Sequence, residues 1–289
     1  MKTKILSGMA FIMLSFFISC DSNNNNDDND PNPSPVLTTA DVANESKIDV
    51  AIDDVVFIVE DQYTTQQNST NKSSATSKGF LPTCATITTV LANGIWTRTI
   101  DFGTAGCLLP NGNLVKGKII ISFSTDFTSP IRTISYTFVD FYHNNKLLQG
   151  NKTITYELKS TALLAEVHPV MTFTVDIKIT FDDGKIYTRT GTKVKEAVEG
   201  NGTPLIWDDN VFLVTGNSTT TLPDGTIIVK TITTPLRYVM TCNLPFPVSG
   251  VVTITKNDSE GVLNFGNGVC DNLATLTING VTTEITLQK

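Results

Sequence analysis

The sequence lacks an apolar run long enough to cross a lipid bilayer. Its longest mostly apolar stretch, from Ile5 to Ile18, has 14 residues, whereas a membrane-spanning helix needs about 17 to 25. No later stretch approaches that length. We therefore expect no transmembrane helix in the mature chain.

Histidine is scarce, with two residues in the whole chain, His143 and His168. This leaves little room for a Ser-His-Asp triad or a histidine-rich metal site. His143 stands beside Asn144 and Asn145, and His168 precedes Pro169, so we expect both to be exposed turn residues. The sequence has no CxxC pair, which disfavours structural zinc.

Motifs of catalysis and cofactor binding are also missing: there is no P-loop, dinucleotide fingerprint, HExxH or GxSxG. We assign no catalytic residue and no cofactor. The adjacent carboxylates Asp182-Asp183 and Asp208-Asp209 could serve calcium or glycoside hydrolysis, with Asp208, Asp209 and Asn210 as the calcium candidates. Neighbouring residues of a strand point to opposite faces, however, and Asp-Gly is a hairpin signal, so turn roles are the simpler interpretation.

The chain has too few basic residues to bind a negatively charged partner by electrostatic attraction. The formal net charge is −7, and removal of residues 1–19 would delete two lysines and no acid, giving −9. Nucleic acid and anionic headgroups both require clustered Lys and Arg. We therefore expect no nucleic-acid partner.

Residues 1–19 have the organisation of a lipoprotein signal peptide. Lys2 and Lys4 form a positive head, an apolar run follows, and Phe17-Ile18-Ser19-Cys20 closes it. The closing tetrad resembles the lipobox of bacterial lipoproteins, with Phe17 in place of the commoner Leu. The resemblance implies that Cys20 is acylated and holds the mature chain to a bilayer. An ordinary signal peptide with Cys20 near its cleavage point is the alternative.

Residues 20–37 are rich in Asn, Asp and Pro, a composition that predicts a disordered tether. Acidic residues soon after the cysteine resemble the surface-export signals of lipoproteins in the Bacteroidota. In enteric bacteria, Asp directly after that cysteine resembles an inner-membrane retention signal. We expect an envelope protein on the outer membrane, facing the cell surface.

Four cysteines remain once Cys20 is assigned to lipid. An even count in an exported chain predicts two disulfides, which can be connected in three ways. The string Ile-Asp-Phe-Gly before Cys107 reappears as Leu-Asn-Phe-Gly before Cys270, and each copy has one cysteine upstream, Cys84 and Cys242. We therefore predict Cys84–Cys107 and Cys242–Cys270, and treat residues 80–124 and 236–289 as candidate repeat units. Chance similarity is the alternative.

Residues 38–63 are predicted to form one amphipathic helix that packs on a sheet. Thr38 and Asp41 are spaced as a capping box, and Ile48, Ile52, Val55 and Val59 recur at helical spacing. The polar residues 64–79 are expected to form a loop.

Residues 80–289 are predicted to form a mostly β domain. The segment Phe173–Phe181 alternates strictly between apolar and polar residues, residues 152–159 repeat the alternation, and seven Asn-Gly or Asp-Gly pairs punctuate the chain. We expect about 12 to 15 mostly antiparallel strands in a meander, as one curved sheet or two packed sheets. Trp96 and Trp207 could stack on sugar rings, but partly buried core positions are the commoner role of a lone Trp.

Three blocks, residues 99–107 leading into 117–121, residues 207–216, and residues 265–272, resemble uncharacterised lipoproteins of the Bacteroidota. The resemblance implies an envelope location and carries no activity. Two classes of function remain: a surface protein that binds a glycan or an envelope protein or has a structural role, and a tethered hydrolase of the glycoside type that uses carboxylates.

Overall fold

The computed structural model describes residues 36–70, 81–203, 208–242 and 246–287. It contains one long helix, α1 (Thr39–Thr70), and one short 3₁₀ turn (Met240–Cys242). The fourteen strands are β1 (Thr86–Ala92), β2 (Ile95–Asp101), β3 (Cys107–Leu108), β4 (Leu114–Ser124), β5 (Ile131–His143), β6 (Lys146–Lys159), β7 (His168–Thr180), β8 (Ile186–Glu199), β9 (Val211–Thr221), β10 (Ile227–Val239), β11 (Ser249–Lys256), β12 (Ser259–Asn267), β13 (Leu273–Ile278) and β14 (Val281–Thr286).

All strands belong to one antiparallel sheet. The spatial order follows the chain from β1 to β14, except that the short β3 pairs only with β4. The predicted meander is therefore confirmed, as one sheet. The predicted hairpin pairs lie at its turns; Asp183-Gly184, for example, joins β7 to β8, with the carbonyl of Phe181 accepting the N–H of Gly184.

The inner face of the sheet holds α1. Strand β7 shows the alternation predicted from the sequence: Phe173, Val175, Ile177, Ile179 and Phe181 are buried, while the polar residues between them are mostly exposed. Those five side chains join a large core cluster with apolar residues of α1 and strands β2 to β6. A second cluster joins residues near the start of α1 to β10, β11 and β13.

Helix α1 begins with the predicted capping box. The Asp41 carboxylate accepts the backbone N–H of Thr38 at 2.9 Å, and the Thr38 hydroxyl accepts the N–H of Asp41 at 3.2 Å. Leu37, the last residue of the predicted tether, is already buried. Leu37 therefore already belongs to the folded part of the chain.

The C-terminal end of α1 differs from the prediction. The helix continues to Thr70, so residues 64–70, which were expected to begin a loop, are helical. Buried Gln62 and Gln66 accept hydrogen bonds from the guanidinium of Arg98 on β2, at 2.7 and 2.6 Å. These hydrogen bonds between the helix and β2 stabilise the last two turns of α1, which are polar and lack apolar residues at helical spacing. Residues 71–80 lie outside the described ranges.

Two inward-facing positions of the sheet require glycine. Gly150 lies opposite Ile177, and Gly216 lies opposite Lys193. The side chains of Ile177 and Lys193 face α1. Both glycines have positive φ angles, 124° and 133°. A Cβ atom at either position would overlap a carbonyl oxygen of the neighbouring strand. The missing side chains allow the backbone of the neighbouring strand to approach closely at both positions.

Both predicted disulfides are present. The Cα atoms of Cys84 and Cys107 lie 5.9 Å apart, and those of Cys242 and Cys270 lie 5.3 Å apart, within the range that disulfides require. Each bond closes the open end of a hairpin, β1–β2 in the first case and β11–β12 in the second. The pairing chosen from the two echoed strings is therefore confirmed.

Candidate functional site

The interface between α1 and the sheet contains a row of ion pairs that we call the charged seam. Five carboxylates recur along one side of the helix and face basic residues on β8, β10 and β11. The seam consists of Asp41 with Lys256, Glu45 with Arg189, Asp49 with Lys230, Asp53 with Lys193, and Glu60 with Lys195. The helix is thus fastened to the sheet by charge as well as by apolar packing.

Arg189 is the most buried base of the charged seam. Its side chain is 1% exposed, and its Nη2 donates to the Glu45 carboxylate at 2.6 Å. The Glu45 side chain is also buried. Nη1 donates to the hydroxyl of Ser218 on β9 and lies 3.5 Å from Asp49. A guanidinium suits this position because its planar fork can satisfy several acceptors at once.

Asp49 lies among three cations. Burial opposes its ionisation, but Lys230, Lys193 and Arg189 together hold the pKa of this carboxyl well below its usual range. The same arrangement acts on Lys193, where burial is outweighed by Asp53 and Asp49 and the pKa is raised. Both groups are therefore charged at neutral pH.

Lys152 on β6 is a buried base with no counter-ion in hydrogen-bond contact. Its side chain is buried, and its Nζ has no hydrogen-bond partner. The ring of Tyr136 has its centroid 5.9 Å from this Nζ. Burial lowers the pKa of Lys152 to about 7, and Asp53 only partly opposes the effect. An amine with this pKa is present in both forms at neutral pH, unlike an ordinary lysine.

The two histidines are buried, so the prediction that they are exposed turn residues is wrong. Both are 1% exposed. His143, at the end of β5, has its Nε2 2.7 Å from the carboxylate of Asp54, which also accepts hydrogen bonds from the amides of Asn111 and Asn113 at 2.7 Å. Asp54 belongs to α1, and no local sequence signal connects it to a residue 89 positions away.

His168 forms a second buried pair, at the start of β7. Its Nε2 lies 2.9 Å from the carboxylate of Glu196 on β8, and its Nδ1 lies 2.7 Å from the carbonyl oxygen of Glu166. The hydroxyl of Thr161 donates to the same Glu196 carboxylate. Because both ring nitrogens and the carboxylate have partners inside the fold, the contacts are those of a network that fixes the β6–β7 connection.

The calcium candidates Asp208, Asp209 and Asn210 lie in the turn that leads into β9. Asp209 accepts a hydrogen bond from the hydroxyl of Thr203, and Asp208 and Asp209 are exposed. Within the described ranges, no three His, Cys, Asp or Glu side chains are close enough together to hold a metal ion. The other pair, Asp182-Asp183, lies in the β7–β8 turn, where Asp183 accepts the N–H of Lys185.

Trp96 packs partly buried against the main core, in agreement with the core interpretation, and Trp207 lies outside the described residues. So do Cys20, the predicted signal peptide and nearly all of the predicted tether. In the part of the chain that the structure describes, no helix combines the length and apolar character needed to cross a bilayer.

A pocket of about 490 Å³ lies where β5 separates from β6. The pairing shifts between Thr137 and Phe141, and Asp140 adopts a positive φ of 46° in the bulge. Leu148 and Gly150 line the pocket together with exposed Gln149. The open depression is lined by apolar surface together with amide and carboxylate side chains. A bulge of this kind has no turn signal in the sequence, so the pocket could not be predicted from it.

The sequence and fold were compared with protein-family models, with curated proteins and with solved structures, and none of the three comparisons found a match.

Proposed function

We propose that this chain is an exported lipoprotein, anchored through acylated Cys20 to the outer membrane and facing the cell surface, with a binding or structural role. The pair of disulfides carries the proposal, since such bonds form and persist in oxidising compartments outside the cytosol. The lipobox-like tetrad at residues 17–20 supplies the anchor.

A binding role is supported by the surfaces that the fold leaves available. Helix α1 covers the inner face of the sheet, and the carboxylates of the charged seam are already paired with bases of the sheet. Recognition is then left to the outer face, the strand edges and the β5–β6 pocket. A glycan or an envelope protein would bind at these surfaces. The alternative of a carboxylate-dependent hydrolase gains no support, because the carboxylates gathered by the fold are paired with Lys, Arg or His.

Metabolic labelling with a fatty acid tests the anchor. The wild-type chain should incorporate label, and Cys20→Ala should lose it and leave the membrane fraction. Ser22→Ala is the matched control, since it changes a neighbouring residue outside the tetrad and should keep the label. Label that persists in Cys20→Ala would contradict the anchor.

Protease treatment of intact cells tests the surface location. We expect the folded domain to be cleaved while periplasmic marker proteins survive. Replacing the four acidic residues of the tether, Asp21, Asp27, Asp28 and Asp30, with Ala should then protect the domain, because the export signal would be lost. A wild-type domain that resists protease on intact cells would place it on the periplasmic side.

A further inference from the structure

Strand β1 forms one open edge of the sheet. It pairs only with β2 among the described strands, and all seven of its residues are exposed. It has no charged residue and no proline, and its register against β2 runs without a bulge. Natural edge strands commonly carry such features because they block pairing with another chain. An uninterrupted edge without them is a template for strand addition.

The β1–β2 turn shows which backbone groups are available. Asn93 and Gly94 have φ angles of 50° and 74°, as in a two-residue type I′ turn. The residues that flank such a turn, Ala92 and Ile95, form a hydrogen-bonded pair, and these pairs alternate along the strand. Ile87, Thr89 and Leu91 therefore direct their N–H and C=O groups towards the free edge.

The side chains of Ile87 and Leu91 add an uncovered apolar surface at this edge. They lie opposite Ile100 and Trp96, whose side chains belong to the core face. They are nevertheless 43% and 51% exposed. Helix α1 makes its hydrogen bonds to Arg98 on β2, one strand before the edge.

We propose that β1 pairs with β1 of a second copy of this chain, antiparallel, about a two-fold axis at Thr89. In this register Ile87 lies opposite Leu91 of the second copy, and Thr88 lies opposite its Val90. The three residues with free backbone groups then pair with one another, and apolar side chains meet on the inner face. Such a two-fold contact is closed, so it gives dimers.

Charge favours the same contact. The chain has a net charge of −7, which opposes self-association over most of its surface. Strand β1 carries no charge, so two copies can meet there without repulsion. One strand pair buries less than the roughly 1,200 Å² of a stable interface, and we therefore expect a weak dimer that a covalent trap must capture. The proposal rests on the edge geometry and does not depend on acylation of Cys20.

Disulfide trapping in intact cells tests the register. Full-length Thr88→Cys and Val90→Cys chains, each with a different tag, are co-expressed and oxidised. These positions form a non-hydrogen-bonded pair with Cα atoms about 4.5 Å apart, within disulfide reach. We expect a doubly tagged dimer at least fivefold more abundant than the dimer from either variant alone. Equal yields would overturn the register and with it the proposal.

A second substitution tests the backbone pairing. Thr89→Pro removes an N–H that faces the free edge and leaves the bonds to β2 intact, so it should abolish the trapped dimer. Ser135→Lys, exposed on the central strand β5, is the control and should leave it unchanged. An unaltered melting temperature in both variants excludes unfolding as the cause. Trapping that survives Thr89→Pro, or a ladder of multimers formed by Val90→Cys with Thr283→Cys on β14, would overturn the proposal.

Discussion

Strands β6 and β8 both place basic side chains beneath α1, and the consequences are opposite. On β8, Arg189 and Lys193 meet carboxylates of the helix, and the pKa of Lys193 is raised. On β6, Lys152 is buried without a hydrogen-bond partner, and its pKa is lowered to about 7. Burial alone penalises every charge, so a counter-ion within reach decides whether a buried base stays charged.

The paired bases of β8 and the unpaired Lys152 of β6 also differ in what their buried charge does for stability. The β8 bases fasten the helix at defined positions, and loss of one partner leaves the other charge unpaired. Lys152 fastens nothing by hydrogen bonding, so its removal takes away a cost. We therefore expect replacement of a β8 base to lower the stability of the fold and replacement of Lys152 on β6 to raise it, although the two strands are only two places apart in the sheet.

The largest effect is expected from Arg189→Met. This change leaves the Glu45 carboxylate, 2% exposed, without its partner, and breaking such a buried pair costs about 3 to 5 kcal/mol of unfolding free energy. Urea denaturation at pH 7 measures it. The double variant Arg189→Met with Glu45→Met should recover most of the loss, because no charge is then left unpaired. A double variant as unstable as the single one would show that the pair itself stabilises the fold.

Asp49→Asn should have the next largest effect, a loss of about 2 kcal/mol at pH 7, since Asp49 faces three cations but is partly exposed. Its folded-state pKa is lowered, so its contribution is complete above the unfolded pKa of about 3.9. It is lost as the pH falls through the folded value. The variant should therefore lose less stability than the wild type between pH 5 and pH 2. Parallel curves would contradict this role of Asp49.

Lys152→Met should stabilise the protein at pH 6 by about 1 to 2 kcal/mol, because a buried ammonium without a partner is removed. The folded-state pKa of about 7 lies below the unfolded value of about 10.4. Wild-type stability should therefore rise between these pH values, since the unfolded chain binds more protons there. The advantage of the variant should shrink by pH 9. Urea denaturation at both pH values measures it, and a difference that is independent of pH would show that Lys152 is not the titrating group.

A smaller effect than these three is expected from Lys195→Ala. Lys195 Nζ lies 2.9 Å from both oxygens of Glu60, but the two side chains are 16% and 21% exposed. Partly hydrated pairs contribute about 1 kcal/mol or less, and the loss should decrease in 1 M salt. The more exposed pair of Arg237 and Glu199 supplies the control, and Arg237→Ala should cost less still. A loss from Lys195→Ala comparable to that of Arg189→Met would contradict the dependence on burial.

Local features of the fold were predictable because their causes lie within a few residues. The alternation in β7 gave its buried face, the Asn-Gly and Asp-Gly pairs gave the hairpins, and Thr38 with Asp41 gave the start of α1. Each depends on side-chain direction or on backbone torsions at that place. The disulfides were predictable for a different reason, since two similar strings selected one of three connectivities.

The two echoed strings show where such local information ends. Asp101 accepts the N–H of Gly103, and Asn264 accepts the N–H of Gly266, each at 2.9 Å, so the strings form the same turn. Their surroundings differ, however. Cys107 is buried in the main core, whereas Cys270 is exposed. Cys107 lies in the cluster that packs against α1, and Cys270 does not. The two strings alone could not predict this difference.

The charged seam and the buried histidines were missed for a common physical reason. Alternation is normally used to place apolar residues inside, but on β8 the threonines face outward while Arg189 and Lys193 face the helix. A carboxylate across the interface stabilises a charged base at such a position. The acids of α1 at four-residue spacing, from Asp41 to Asp53, were a visible signal, but their partners lie more than a hundred residues away.

The sequence by itself determined the strand pattern, the turns, the helix cap and the disulfide pairing, because short-range sterics and hydrogen bonds decide them. The tertiary structure alone decided which face of β8 is buried, where α1 ends and which charges are neutralised. Those outcomes depend on contacts between segments distant in the chain, such as Glu45 with Arg189 and Gln66 with Arg98. These contacts form only when α1 packs on the sheet, so they contribute free energy only in the folded protein.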